Sequence, residues 1–176
     1  MMTDTEFLAT ELENGIGMHN PNFKELARLS VDQINDLGIK TVLDYGAGNG
    51  VYADAYYLAG YEVKAFELFK AHRDYMKENV PHIHILKNPI TTDLLHFIET
   101  AEHMTDKELD SLFNKIQPKY VLFSSTSEKT DNDIPWGHIN IKSQAEWDLF
   151  FELKGYLKVR DLSLPTSWTK LFIKSI

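Results

Sequence analysis

Residues Thr41 to Gly50 read Thr-Val-Leu-Asp-Tyr-Gly-Ala-Gly-Asn-Gly, an apolar strand running straight into three glycines at alternate positions. Glycine is needed where backbone bends sharply or must approach a ligand with no Cβ in the way. In open α/β sheets, a strand, a glycine-rich turn and a helix N-terminus together cradle nucleotide-like ligands. Spacing selects the ligand. Dinucleotide and P-loop sites call for G-x-G-x-x-G or G-x-x-x-x-G-K-[ST], and Gly46, Gly48 and Gly50 satisfy neither. With Asp44 at the strand end, the stretch is instead Asp-x-Gly-x-Gly-x-Gly.

Outward from this turn, strand and helix signals alternate. Upstream, Asn20-Pro21 offers a capping side chain followed by proline at the first helical position. Phe23, Leu26, Ala27, Val31 and Ile34 mark a helical face, and Gly38 stops it. Strands are expected at 41–44, 62–66, 82–86, 94–98, 120–124, 156–162 and 168–174. Helices are expected at 51–59, 71–79 and after two capping boxes, Thr105-Asp106-Lys107-Glu108 and Ser143-Gln144-Ala145-Glu146. This order predicts an α/β, Rossmann-like, seven-stranded and mostly parallel sheet with helices on both faces. The closing strand-turn-strand around Pro165 predicts one antiparallel strand near an edge. Residues 1–176 read as a single domain, with 1–38 a helical cap region and 39–176 the core.

Composition narrows the function classes. A chain of 176 residues that is 43% hydrophobic and 25% charged is long enough to bury one proper core. No apolar run approaches the roughly 18 residues of a membrane span, and the first residues lack a signal-peptide pattern, so the expected location is the cytoplasm and no membrane partner is expected. The absence of cysteine excludes disulfides and thiolate metal sites. A formal charge of −8 argues against a broad nucleic-acid surface, which leans on Lys and Arg.

The Asp-x-Gly-x-Gly-x-Gly motif and the order of elements resemble the class I S-adenosylmethionine-dependent methyltransferases along nearly the whole chain. Glu67 closes the second strand, where an acid can accept bonds from both ribose hydroxyls. The resemblance places the cofactor acid there. It also implies that Asp44 sits under the glycine turn, holding loop amides or the donor's amino group through water. Asn88, after the third strand, would face the adenine in place of an acid, its carbonyl accepting from the amine. The expected cofactor-binding set is therefore Asp44, Gly46, Gly48, Gly50, Glu67 and Asn88, with S-adenosylmethionine as methyl donor.

After the fourth strand comes Glu99-Thr100-Ala101-Glu102-His103. A helical turn there would put Glu99, Glu102 and His103 on one face, beyond the carboxyl ends of the strands where ligands of open sheets bind. His138 precedes the Ser143 cap and is expected to reach the same mouth. Two carboxylates and two imidazoles suit Mg²⁺, Mn²⁺, Fe²⁺ or Zn²⁺. Glu-x-x-Glu-His with a distant His resembles the metal-dependent small-RNA 3′-terminal 2′-O-methyltransferases, and its first part also resembles ubiquinone-pathway O-methyltransferases. Carried over, Glu99, Glu102, His103 and His138 are metal ligands. Three readings stand at this point: a metal centre, metal-free acid–base catalysis through His103 or His138 with Glu102, and a structural cluster. His72, His82, His84 and His96 read as ordinary surface or core residues.

The expected acceptor is a hydroxyl on a small molecule or a sugar- or ribose-like diol, with an RNA 2′-hydroxyl end as the alternative. No Asp/Asn-Pro-Pro-Tyr follows the fourth strand, as amino-methylating DNA enzymes require, and C5-pyrimidine methylation needs a cysteine. Ser124 to Ser127 and Trp136 are candidate acceptor-pocket residues. A reading from another class is a binding module that holds the donor without transferring its methyl group. Oligomeric state is open.

Overall fold

The computed structural model describes residues 2–131 and 133–175. The elements run α1 (Asp4–Glu13), α2 (Pro21–Asp32), β1 (Thr41–Tyr45), α3 (Val51–Leu58), β2 (Glu62–Phe66), α4 (Lys70–Asn79), β3 (His84–Ile85) and β4 (Leu94–Ile98). They continue with α5 (Asp106–Lys115), β5 (Tyr120–Ser124), α6 (Asp133–Trp136), α7 (Gln144–Leu153), β6 (Tyr156–Leu162) and β7 (Thr169–Lys174). The strands form one sheet in the order β3-β2-β1-β4-β5-β7-β6. β7 runs antiparallel to both neighbours, and the remaining pairings are parallel. The single antiparallel strand thus lies one place in from the edge.

Strands buried on both faces read as continuous apolar runs, with successive side chains feeding opposite layers. Val42, Leu94, Leu122 and Leu171 pack with α2, α3 and α4 through Ala27, Tyr56 and Met76. Their chain neighbours Leu43, Leu95, Phe123 and Phe172 pack on the other face with Leu109 and Phe113 of α5 and Trp147 and Phe151 of α7. The second layer is aromatic: Phe151 stacks on Phe172 at 4.3 Å and meets Phe123 at 4.7 Å. Such pairs add roughly 0.5–1.5 kcal/mol beyond area burial.

Both sequence-derived capping boxes form, Thr105 with Glu108 and Ser143 with Glu146. A third, Thr3 with Glu6, opens α1, a helix absent from the sequence reading. No residue of α1 is buried, so its sequence carries no strong apolar stripe. The Thr-x-x-Glu at Thr3 was the available signal.

Candidate active site

Every loop leaving the carboxyl ends of β1, β2, β4 and β5 contributes to one cleft. The glycine turn folds over the end of β2, where Gly46 and Ala47 both donate to the Phe66 carbonyl at 2.8 and 3.1 Å. All three turn glycines have positive φ. At Gly46 a Cβ would lie 2.4 Å from Thr100, so the turn needs glycine both for conformation and for space.

Glu67, buried at the end of β2, accepts the Gly48 N–H on Oε2 and the Phe69 N–H on Oε1, both at 2.8 Å. Burial pushes its pKa up, and those two amides pull against that shift. A carboxylate has about four lone-pair sites, so two remain for hydroxyl donors. Of the two partners expected for Asp44, no loop amide donates to it among the described residues, which leaves the donor's amino group. Asp44 Oδ1 is 2.8 Å from His96 Nδ1 on β4. Asn88 stands apart as well: it is exposed, its Oδ1 accepts from Lys115, and it lines neither cavity of the cleft. The short β3 ends at Ile85, leaving Asn88 on the outer rim.

The cleft has two adjoining lobes that share Phe7, Glu11, Gly46, Gly48, Glu99 and His103. The smaller, about 270 Å³, contains Glu67, Leu68 and Phe69. The larger, about 550 Å³, contains Asp44, Tyr52, His96, Glu102, Trp136 and His138. α1 walls both lobes. Phe7 packs against Phe69, His72, His103 and Trp136 with ring centroids 5.3–6.0 Å apart, and Glu11 Oε2 lies 2.9 Å from His72 Nε2. These α1 residues went unread because the helix itself did.

Beyond β4 the chain does not turn as the sequence suggested. Glu99 has φ 46, and a 3₁₀ turn begins only at Ala101. Glu99 is not one of the three residues whose ligand atoms converge, although its carboxyl neighbours that of Glu102. Glu102, His103 and His138 each bring one ligand atom within 4.8 Å of the others. Glu102 is fully buried, held by the Ser125 hydroxyl at 2.8 Å and by the Thr126 N–H at 3.2 Å. Its carbonyl accepts the N–H groups of Ile139 and Asn140, which pins the His138 segment beside it. His138 Nδ1 faces Asp133 Oδ1 at 2.9 Å, and His103 Nδ1 faces the Gly137 carbonyl at 3.3 Å. An acceptor at Nδ1 fixes the proton there and leaves Nε2 with its lone pair free. Burial lowers the His103 pKa and keeps the ring neutral.

Glu99 opens onto the cleft from beside this group, with Ser124 donating to its Oε1 at 2.7 Å. The enclosing walls, and then the Glu102 carboxylate, push its pKa to about 8. Ser124 and Ser125 serve the two glutamates rather than lining the larger lobe, while Thr126 and Trp136 do line it. Asp133 and His96 are the polar residues that sequence reasoning missed here. A carboxylate five residues before a candidate histidine ligand was the available sign for Asp133.

Comparison with known proteins agrees with this architecture. The methyltransferase-domain family profile matches residues 8–164, so the chain belongs to that family, the methyltransferases. It is a methyltransferase that uses S-adenosylmethionine. The search of curated protein sequences returned no match. Among solved structures, mitomycin 7-O-methyltransferase MmcR is 14% identical with a TM-score of 0.69, over 99% of this chain and 61% of that one. The methyltransferase domain of bacterial CtHen1-C is 15% identical with a TM-score of 0.66, over 87% of this chain and 100% of that one. Magnesium protoporphyrin IX methyltransferase (ChlM) from Synechocystis PCC 6803, with bound SAH, is 12% identical with a TM-score of 0.62, over 86% and 83%. At these identities the likeness is one of fold. Among the described residues, no helix is long and apolar enough to cross a membrane.

Proposed function

We propose that the protein transfers the methyl group of S-adenosylmethionine to a hydroxyl oxygen of a small molecule, with Glu102, His103 and His138 holding a divalent cation. The observation that carries this reading is the convergence of three ligand atoms within 4.8 Å, at the wall of the lobe that adjoins the glycine turn. Two further features support it. Each histidine has Nδ1 committed to a carboxylate or a carbonyl, the arrangement that orients imidazole ligands. One carboxylate and two imidazoles suit Mn²⁺, Fe²⁺ or Zn²⁺, with Mg²⁺ less favoured by two nitrogens.

In the transfer, the acceptor hydroxyl gives up its proton to bulk water, its oxygen bonds to the methyl carbon and the C–S bond breaks with its electron pair staying on sulfur, leaving S-adenosylhomocysteine. A bound divalent cation would supply a lowered hydroxyl pKa and a fixed orientation for the acceptor. The chain's own residues hold the geometry: Ser125 and Thr126 fix Glu102, Asp133 fixes His138, and Gly137 fixes His103. Phe7 and Trp136 close the lobe from the side of α1, which limits water around the reacting oxygen.

The lobe's charge bears on the acceptor. Glu11, Asp44, Glu99, Glu102 and Asp133 line it, and among the described residues no Lys or Arg does. An RNA end brings phosphates that need cationic partners, so this lining favours a neutral or cationic small molecule. The likeness of O-methyltransferase MmcR agrees with oxygen as the acceptor atom, and that of CtHen1-C keeps an RNA end in the test. Labelled S-adenosylmethionine should be incubated with catechol, sugar and RNA panels, with and without Mn²⁺, Mg²⁺ or Zn²⁺ after chelation. Metal-stimulated transfer to a diol or phenol is the expected result. Donor binding without transfer across the panel would defeat the catalytic reading for these acceptors and leave a binding module.

A further inference from the structure

The floor of the larger lobe carries a hydrogen-bonded pair that the transfer chemistry above does not use. Asp44 and His96 are register partners on adjacent parallel strands, β1 and β4, so their side chains leave the same face of the sheet. They are 2% and 1% exposed, with His96 Nδ1 2.8 Å from Asp44 Oδ1. The imidazole lies against Tyr52 and Tyr56 of α3, at centroid distances of 4.8 and 5.3 Å. Asp44 Oδ2 and His96 Nε2 find no partner among the described residues. A buried polar atom left unmet forfeits its hydration without return. An apolar residue would fill the His96 position in the run Leu94-Leu95-His96-Phe97 at no such cost. Both side chains also line the larger lobe, so the unmet atoms sit against the cleft rather than deep in the core.

The position of Glu67 tells what would meet Asp44 Oδ2. Glu67 lines the smaller lobe and not the larger. A donor whose ribose bonds to Glu67 must lead its amino-acid arm past Gly46 and Gly48 into the larger lobe, where Asp44 lies. That arm ends in an ammonium and a carboxylate. The resemblance already offers Asp44 as the acceptor for that ammonium, and we propose that His96 completes a dyad with it as a positioning residue, leaving Asp44 Oδ2 to accept. By donating its Nδ1–H to Oδ1, His96 takes one carboxylate oxygen out of play and fixes the rotamer that leaves the other for the ligand. A bond between a carboxylate and an ammonium is charge-assisted and sensitive to direction, so fixing the carboxylate matters. The proposal rests on the reading that this cleft holds S-adenosylmethionine.

Two ligands separate the dyad from the rest of the site. S-Adenosylhomocysteine carries the amino-acid arm, whereas 5′-methylthioadenosine shares its nucleoside thioether and lacks the ammonium. By calorimetry, His96→Leu should weaken S-adenosylhomocysteine binding about tenfold, the scale of one charge-assisted hydrogen bond. It should change methylthioadenosine binding by less than about twofold, since that ligand makes no such bond. His96→Asn, whose amide N–H can stand where Nδ1–H stood, should restore most of the loss. If His96→Leu weakens both ligands alike, or neither, the dyad is structural and the proposal falls while the donor assignment stands. On the unmodified protein, the His96 ring ¹⁵N resonances should shift on adding S-adenosylhomocysteine and stay put on adding methylthioadenosine. Equal shifts would overturn the proposal even where the leucine variant does not fold. Failure of the unmodified protein to bind S-adenosylhomocysteine at all would defeat the donor assignment first, and the dyad with it.

Discussion

His138 donates its Nδ1–H to Asp133 Oδ1 across 2.9 Å, and its backbone N–H to the Asp133 carbonyl at the same distance. One residue thus fixes both the ring and the chain that bears it. The Thr130 backbone N–H, and with it His138, holds the Asp133 carboxyl below its ordinary value, so the partner is an ionised acceptor at neutral pH. Losing a carboxylate behind a ligating imidazole costs about 10- to 100-fold in metal affinity. Asp133→Ala should therefore lower Mn²⁺ or Zn²⁺ affinity by that factor while S-adenosylhomocysteine affinity changes little. Titration calorimetry with each ligand checks both halves. Unchanged metal affinity would remove Asp133 from the site.

Glu67 makes a prediction on the donor side. Its two oxygens are each committed to a backbone N–H at 2.8 Å, from Gly48 and Phe69. Glu67→Ala leaves those donors unmet and removes the acceptor for ribose. With hydrogen bonds to charged groups worth about 1.5–3 kcal/mol each, S-adenosylhomocysteine affinity should fall about 100-fold or more. Glu67→Gln keeps one acceptor oxygen and should fall in between. Equal affinity in all three proteins would show that the ribose lies elsewhere.

The parts of this molecule that were legible in its sequence are those set by local signals. Strands β2, β4, β5 and β6 stand where their apolar runs ended, and Thr105 and Ser143 cap the helices their Thr-x-x-Glu and Ser-x-x-Glu patterns announced. What stayed hidden depends on residues far apart in the chain. Asp44 and His96 are 52 positions apart and meet only through strand register, so His96 read as an ordinary surface or core residue. Glu11 and His72 meet across 61 positions. The helical turn expected from Glu99 failed for a different reason: the positive φ of Glu99 and the late start of the 3₁₀ turn break the helical spacing.

Gly46 tests how tightly the turn is built. Its φ is 74, and a Cβ there would come within 2.4 Å of the Thr100 side chain, whose hydroxyl donates to the Ile98 carbonyl at 2.9 Å. Gly46→Ala adds both a positive-φ penalty and a clash, costing about 1–3 kcal/mol. For a domain of this size the melting temperature should drop by about 2–12 °C. Pairing it with Thr100→Ser removes the methyl group from the contact and should recover part of the loss. Thermal melts of the two variants measure it. No recovery would assign the cost to backbone conformation together with the Oγ1 contact that serine keeps.

Glu99 carries the pH prediction. The surrounding protein, then Glu102, lifts its pKa from 4.5 to about 8, so the folded chain keeps a proton there that the unfolded chain gives up. Where the native state binds more protons, stability falls as pH rises. In metal-free buffer the contribution of Glu99 should be fully present below 4.5 and be lost as pH climbs to about 8. Glu67 is raised in the same sense by burial, so the useful quantity is the difference between the unmodified protein and Glu99→Gln, in which the Glu67 effect cancels. Glutamine imitates the neutral acid and has no proton to lose. The melting-temperature difference between the two proteins should therefore favour the unmodified chain increasingly as pH falls through that window. Parallel curves would mean that Glu99 takes up no extra proton on folding.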